Sequence, residues 1–427
     1  MERTISMSEN NGYDVIVAGG GPAGCAAAAA AAKNGAKTLL IERAGFLGGM
    51  SSGGMVPEFC PYTDGEKIIH NGIAKDVLFK MKQVTPDSAD KLDYCAINAE
   101  QMKLILDGLV TDAGADILFY SAVCGAETDN GRVKALYVSG KSGIRRFGAE
   151  AFVDCTGDAD AAAFAGCEYE IGAENGKTQM PTLCFDMCGI DDSGDKPIEG
   201  MVREILPEII KDEEFPLIDN NFFCAMKIGE GLYGVNAGHI YGTDCLNAQS
   251  ISAAMISGRK KAFQYLGALK KYMPEEFANA QITQTAPMLG VRETRRIKGC
   301  YTLTARDYCE RRSFFDDIGR NSYSIDLHDA EWFYQNVDLN AQYAKYKAGE
   351  SHGIPYRCLV PRKLENMLVA GRSISCERAV QSSIRIIPVC FVTGEAAGTA
   401  ASIMVRDKCS ARDVNIEELL GILKSNE

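Results

Sequence analysis

Apolar positions in this chain fall in short unbroken runs near both ends and in mixed, interrupted patterns through the middle. Tyr13 to Ala18 (YDVIVA) is a brief apolar run of the kind that forms a parallel strand covered on both faces. Glycines 19–21 break it. The alanine-rich stretch to about Asn34 predicts a helix ended by Gly35, and Lys37 to Glu42 (KTLLIE) predicts a second strand. Strand, helix and strand within about thirty residues make a βαβ unit, right-handed because twisted strands leave no other return path. A loop of small residues, Gly45 to Pro57, comes next. Asn98 to Ala113 reads as a helix. Short alternating strands then run from Asp116 to Asp154, turning at Asp129-Asn130-Gly131.

From residue 173 the texture changes to helices, such as Asn247–Tyr272, set among aromatic and charged loops. The first style returns late, with a strand Asn366–Ala370 (NMLVA) and a small-residue helix Pro388–Asp407. The expected fold is α/β: a discontinuous Rossmann-like domain of residues 1–172 and 355–427, with an α+β substrate or cap domain of residues 173–354 inserted in it. A chain of 427 residues is long for one core, which agrees with two domains.

Net charge narrows the partners. At −12 the surface repels phosphate backbones and anionic lipid heads, so no nucleic acid and no membrane is expected, and a small-molecule substrate is. The first dozen residues show no signal-peptide pattern, and the cytoplasm is the expected compartment. The sixteen cysteines are scattered, with no C-x-x-C and one close pair, Cys184 and Cys188. Thiolates so dispersed predict no metal or iron–sulfur site, and suit small buried hydrophobes in a reducing compartment.

The glycines after the first strand read Gly19-Gly20-Gly21-Pro22-Ala23-Gly24, a G-x-G-x-x-G. Gly19 permits a tight turn, Gly21 a close approach to a pyrophosphate, and Gly24 close packing of helix on strand. Free N–H groups and the dipole at the helix start, Pro22 and Ala23, hold the phosphates. Glu42, with Arg43 beside it, closes the second strand where a carboxylate accepts ribose hydroxyls. This pattern says dinucleotide; the glycines alone do not separate FAD from NAD.

Later runs narrow the choice. The chain carries GGGPAG (19–24), GFLGGMSSGG (45–54), CTGDADAAAFAG (155–166), GVRETRRIKGCYTLT (290–304), IDLHD (325–329), IPYRCLVP (354–361) and NMLVAGRSISCERAVQSSIRIIPVCFVTGEAAGTAA (366–401). In these runs it resembles the FAD-dependent oxidoreductase family related to the fumarate reductase and succinate dehydrogenase flavoprotein and to the flavoprotein part of heterodisulfide reductases, with an FAD fold of the glutathione-reductase type. The resemblance implies FAD as cofactor and hydride transfer at flavin N5. It places Gly48 and Gly49 by the pyrophosphate or ribityl chain, and Met50 and Ser51 beside the isoalloxazine. Thr156, Gly157 and Asp158 flank the cofactor at a strand end. Gly371 and Arg372 lie near the pyrophosphate or ribityl. The helix beginning at Pro388 aims its positive end at the flavin N1/C2 oxygen region, with Arg385 adding charge. Several features depart from relatives. There is no second G-x-G-x-x-G for a nicotinamide cofactor and no redox dithiol. The Gly-Asp-Ala-Ala-His of related aromatic hydroxylases is replaced by Gly371-Arg372-Ser373. Electrons therefore come from the substrate, from free reduced nicotinamide, or from a separate electron donor or acceptor.

Four histidines limit the acid–base candidates. His328 and His239 are the candidates for catalysis; His70 and His352 are expected at the surface or in loops. Arg292, Arg295 and Arg296 share the RETRR run and would face one way at helical spacing, as a clamp for a carboxylate or phosphate. Tyr356 with Arg357 is a further polar pair for the substrate side, and Cys60 is a thiol placed to touch the flavin. The expected activity is hydride transfer from a small polar compound, hydroxylated or sugar-like. The alternatives are reduction of an activated C=C bond in a carboxylate substrate, and a flavin-holding electron-transfer subunit of a larger complex.

Overall fold

Val15–Ala18 is buried at all four positions, and so are Thr38–Ile41, Ala151–Asp154 and Met367–Val369. Strands with no solvent face need neighbours on both sides and helices above and below. The computed structural model, which describes residues 12–85, 88, 90–329 and 343–426, supplies both. A five-stranded parallel sheet runs in the order Met367–Val369, Ala151–Asp154, Val15–Ala18, Thr38–Ile41, Asp116–Leu118. Val15 sits between Thr38 and Ala151 in register, so the glycine loop and the Thr156-Gly157 turn leave the same sheet end side by side.

The helices Pro22–Lys33 and Ile387–Asp407 cover this sheet and touch through their backbones. A side chain at Gly394 would run into the Ala23 carbonyl, and one at Gly398 into that of Ala27. Both facing positions are alanines, so the two axes approach closely along two turns. The Ile387–Asp407 helix is the one helix, among the described residues, long and apolar enough to cross a membrane, and its apolar window is entirely buried inside the protein.

Gln281–Thr285, Phe185–Cys188, Leu232–Ala237 and Phe223–Gly229 form a second, antiparallel sheet. The helices Ile198–Ile209 and Ala248–Tyr272 back it, around Phe185, Phe223, Tyr265 and Phe277. Asn247 caps the second of these, its side chain accepting from the Ser250 N–H. A three-stranded antiparallel sheet spans Ala122–Gly148; its first turn puts both Asn130 and Gly131 at positive φ, the conformation a two-residue hairpin requires.

The chain rejoins the first core well before residue 355. Arg295–Ile297 pairs with Tyr169–Ile171, and Asp317–Asn321 with His352–Pro355. Leu303, Tyr308, Ile318, Ile325 and Leu327 join the apolar cluster that holds the Pro22–Lys33 helix. These apolar residues form no continuous apolar run, so the run-based boundary at 354 misses them. His70 and His352, expected at the surface or in loops, are both fully buried: His70 does lie in a loop, edge-on to Tyr62, whereas His352 begins a strand, its Nδ1 2.6 Å from the Tyr346 hydroxyl.

The helix contact gives a direct expectation. Gly394→Val forces the backbones apart and lowers stability by about 1–3 kcal/mol or more. Gly421→Ala, in a helix position with open space around it, raises stability by about 0.5–1 kcal/mol. Thermal and urea melts of the two variants measure both.

Candidate active site

One long cavity opens at the end of the parallel sheet. Its floor is the glycine loop (Gly19, Gly21), the start of the first helix (Pro22, Ala23), and Glu42 with Arg43. Gly49, Met50, Thr156, Gly157, Gly371 and Arg372 continue the wall. The start of the last long helix follows, with Arg385, Ile386 and Ile387. At the far end the cavity is lined by Glu58, Cys60, Arg203, Phe222, Asn236, Arg292, Tyr323, Asp326 and His328.

Most of the expected cofactor residues meet here, and those that do not line the cavity shape it. Gly24 packs against the Gly19 carbonyl with no room for a side chain. Gly48, at φ 108°, donates its N–H to the Gly20 carbonyl, and Ser51 Oγ donates to the Gly48 carbonyl, which presents Gly49 and Met50. Asp158 accepts from Arg372 and from Thr294, each at 2.6 Å. Burial alone would raise its carboxyl, but the Arg372 guanidinium holds it below the usual range. Pro388 is the second residue of its helix, one position inside the lining Ile387. Asp154, not singled out from sequence, ties the strand end together: it accepts from the Thr156 N–H and hydroxyl and from the Ala162 N–H. Burial pushes its carboxyl up to about 6.

The cradle fits a dinucleotide. Gly21 caps the first helix with no side-chain hydrogen bond, and a Cβ there would meet nothing closer than the Gly49 Cα at 4.0 Å. The empty space beside it is what a pyrophosphate approaching the helix N-terminus occupies. Glu42 accepts from the Gly20 and Ala44 N–H groups at 2.6 and 2.7 Å, which fixes the carboxylate at the cavity edge. The Nε atoms of Arg372 and Arg385 are buried without a hydrogen-bond partner, two donors left for an anionic or carbonyl-rich ligand.

The substrate-side candidates separate. The RETRR run is no helix; Arg295–Ile297 is a strand, so its arginines diverge. Arg292 enters the cavity, donating to the Met180 carbonyl and Thr182 Oγ1 and stacking over Phe222. Arg295 turns to Asp160 and Tyr169, and Arg296 to Glu293. Tyr356 lies outside the cavity, fully buried, its hydroxyl donating to the Ala411 carbonyl. Cys60 lines the cavity, and burial raises its thiol well above the usual range, so it stays protonated.

His328 and His239 come together. His239 Nε2 lies 2.6 Å from His328 Nδ1, and His328 Nε2 lies 3.1 Å from Asp326 Oδ2. An ionised Asp326 makes Nε2 of His328 the protonated nitrogen, leaving Nδ1 to accept from His239. Burial, then Arg292, pushes His328 down to about 4, so its ring is neutral near pH 7. Burial would raise the Asp326 carboxyl, but His328 and Arg385 hold it well below the usual range. Asp326 belongs to the IDLHD run yet was not expected as a site residue. An acid two positions before a histidine has no distinctive spacing.

Among known proteins, the profile of the family described as FAD dependent oxidoreductase matches residues 14–423. The chain belongs to that family. FAD is accordingly its cofactor and the protein an FAD-dependent oxidoreductase. Comparison with curated proteins found no match. Solved structures with a similar outline include three of low identity. A geranylgeranyl bacteriochlorophyll reductase-like protein from Thermoplasma acidophilum shares 15% identity, with TM-score 0.47 over 97% of this chain and 82% of that one. An anhydrotetracycline hydroxylase from Streptomyces rimosus shares 13%, with TM-score 0.46 over 96% and 65%. A myxobacterial FAD-dependent chondrochloren halogenase shares 12%, with TM-score 0.49 over 96% and 78%. Identities and TM-scores this low say nothing about the substrate.

Two expectations follow. Gly21→Val leaves the apoprotein melting temperature unchanged but fills the cradle, so FAD affinity falls by about ten-fold or more on titration followed by flavin fluorescence. The His328 pKa, at about 4 against 6.5 unfolded, lies below its unfolded value. Its stabilising contribution is complete above pH 6.5 and is lost as pH falls toward 4. The stability difference between wild type and His328→Asn therefore changes across that window and is flat outside it, as melts across pH will show.

Proposed function

We propose that this flavoprotein, with its FAD site arranged in the glutathione-reductase manner, is a dehydrogenase of a small hydroxylated, polar compound. FAD, when bound in the cradle, supplies the acceptor for the pair of electrons and the hydrogen that leave the substrate carbon.

The observation that carries this reading is Asp326. Its Oδ2 accepts from His328 Nε2 and from Arg385, while Oδ1 has no protein partner among the described residues. The side chain keeps 37% of its surface open at the cavity. A substrate hydroxyl donates to Oδ1, and its proton passes there as the neighbouring C–H bond breaks. His328 holds the carboxylate in place, and His239 fixes the His328 ring. Arg385, two residues before the helix that ends the cradle, donates to the Asp326 carbonyl and Oδ2 and so ties the proton acceptor to the cofactor side. Phe222, packed on both histidines, keeps water from the pair.

A second reading, reduction of an activated C=C bond in a carboxylate substrate, is favoured by Arg292 in the same cavity. A cytoplasmic setting, a separate electron donor or acceptor, and the absence of nucleic-acid or membrane partners complete the proposal.

Anaerobic photometry tests it. Hydroxylated compounds should bleach the oxidised flavin, and Asp326→Asn should slow bleaching by about 10²–10⁴-fold while FAD content is retained. His328→Asn should slow it less. Reoxidation of the reduced protein by enoates, with no bleaching by any alcohol, would replace this reading by the second.

A further inference from the structure

The far end of the cavity is built from charges, and most of them are matched. Asp326 pairs with Arg385 and His328, each at 3.1 Å. Arg203 pairs with Glu199 at 2.6 Å. Two charges are left over. Arg292, buried, meets only neutral acceptors: the Met180 carbonyl at 2.8 Å, Thr182 Oγ1 at 2.7 Å and Asn236 Oδ1 at 3.5 Å. Glu58 meets only the Cys224 thiol, a weak donor, at 3.3 Å from Oε1. Among the described residues no carboxylate lies within ion-pair distance of Arg292 and no lysine or arginine within that of Glu58. Removing a charge from water without a counter-charge is costly, so buried charges are usually paired. One unmatched cation and one unmatched anion on the wall of a single cavity describe the complement of what belongs there.

We propose that the substrate is a small zwitterion, its carboxylate taken by Arg292 and its ammonium by Glu58. The inference rests on the reading that the Asp326 end of the cavity receives the substrate. The Arg292 fork retains an Nη2 donor edge held only by the long contact to Asn236, suited to a carboxylate oxygen. Glu58 keeps Oε2 free of protein partners, and the Tyr323 ring on the same wall suits an ammonium and its methylene stem. A ligand carrying both charges satisfies both groups at once and leaves the net charge of the cavity unchanged. A mono-anion or mono-cation satisfies one and strands the other. The protonation behaviour agrees with two unmatched charges. Burial raises the Glu58 carboxyl, with Glu199 and Asp326 adding to the rise and Cys224 and Arg203 opposing it. Burial, followed by Arg385, pushes Arg292 down to about 10.

Calorimetric titration of the FAD-loaded full-length protein tests the proposal without turnover, with flavin absorbance as a second readout. The probes are glycine, β-alanine, 4-aminobutyrate and 6-aminohexanoate, each against the carboxylate and the amine of matching chain length. At the best length the amino acid should bind about ten-fold or more tightly than both of its singly charged counterparts. Glu58→Gln should erase its advantage over the carboxylate, and Arg292→Gln its advantage over the amine. Glu58→Asp should restore part of the first, which separates lost charge from lost fold. The proposal falls if no length shows the double advantage, if no amino acid binds saturably, or if Glu58→Gln leaves the ranking unchanged. Bleaching by hydroxylated compounds is a separate readout. A zwitterion preference without bleaching would overturn the dehydrogenase reading alone, and bleaching without the preference would overturn this one alone.

Discussion

The backbone contact between the Pro22–Lys33 and Ile387–Asp407 helices is the constraint on which the rest of the structure depends. Gly394 and Gly398 lie against the Ala23 and Ala27 carbonyls with no space for a Cβ. These residues are separated by most of the chain, so the contact closes the sheet domain around everything inserted between them. It also brings two helix N-termini to one cavity wall, at Pro22–Ala23 and Ile386–Ile387. Two aligned helix dipoles and their free N–H groups put partial positive charge where a dinucleotide carries its negative charge. Bulkier residues on either helix would separate those ends and widen the cradle.

The two ends of the cavity use different chemistry for physical reasons. At the glycine end, backbone does the work, and side chains such as Glu42 and Asp154 spend their oxygens on backbone N–H groups to hold loops in shape. At the far end, side chains do the work and are held by one another. Ion pairs buried there carry a desolvation cost, offset only by good geometry and additional hydrogen bonds. Asp326 meets that requirement through His328 and Arg385, which is why it can remain charged inside the protein.

The sheet was legible because its strands are buried on both faces and therefore read as continuous apolar runs; Val15–Ala18, Thr38–Ile41 and Met367–Val369 fall inside the expected strands. The glycine cradle was legible because each glycine answers a steric need. The middle was not. The spacing of the RETRR run reads as one helical face, yet the run is a loop leading into the strand Arg295–Ile297, so Arg292, Arg295 and Arg296 reach three different partners, and no local signal in that run distinguishes this from helix. Tyr356 sits beside a polar residue and looks like a site group, but its hydroxyl serves a buried carbonyl of the C-terminal segment. Glu58 and Asp326 escaped notice because what marks them is company in space, not spacing in sequence.

A buried amide pair shows how the middle of the chain is fixed to its end. Gln179 Nε2 donates to Gln381 Oε1 at 2.8 Å, and Gln381 Nε2 donates to the Arg292 carbonyl at 3.0 Å. Gln179 Oε1 accepts from the His328 N–H at 3.3 Å, and the Met180 N–H donates to the His328 carbonyl. Both glutamines are fully buried, so each unmet amide group would carry its whole desolvation cost, and the set holds only when all its members are in place. Gln381 lies on the Arg378–Ile384 helix, immediately before Arg385 and the helix that closes the cradle. The loops presenting Arg292 and His328 are therefore referenced to the same short segment that references the cofactor side. Distance between substrate groups and cradle is then set by hydrogen bonds across a few residues rather than by the relative placement of two sheets, which is the condition a reaction needing close alignment of donor carbon and acceptor imposes.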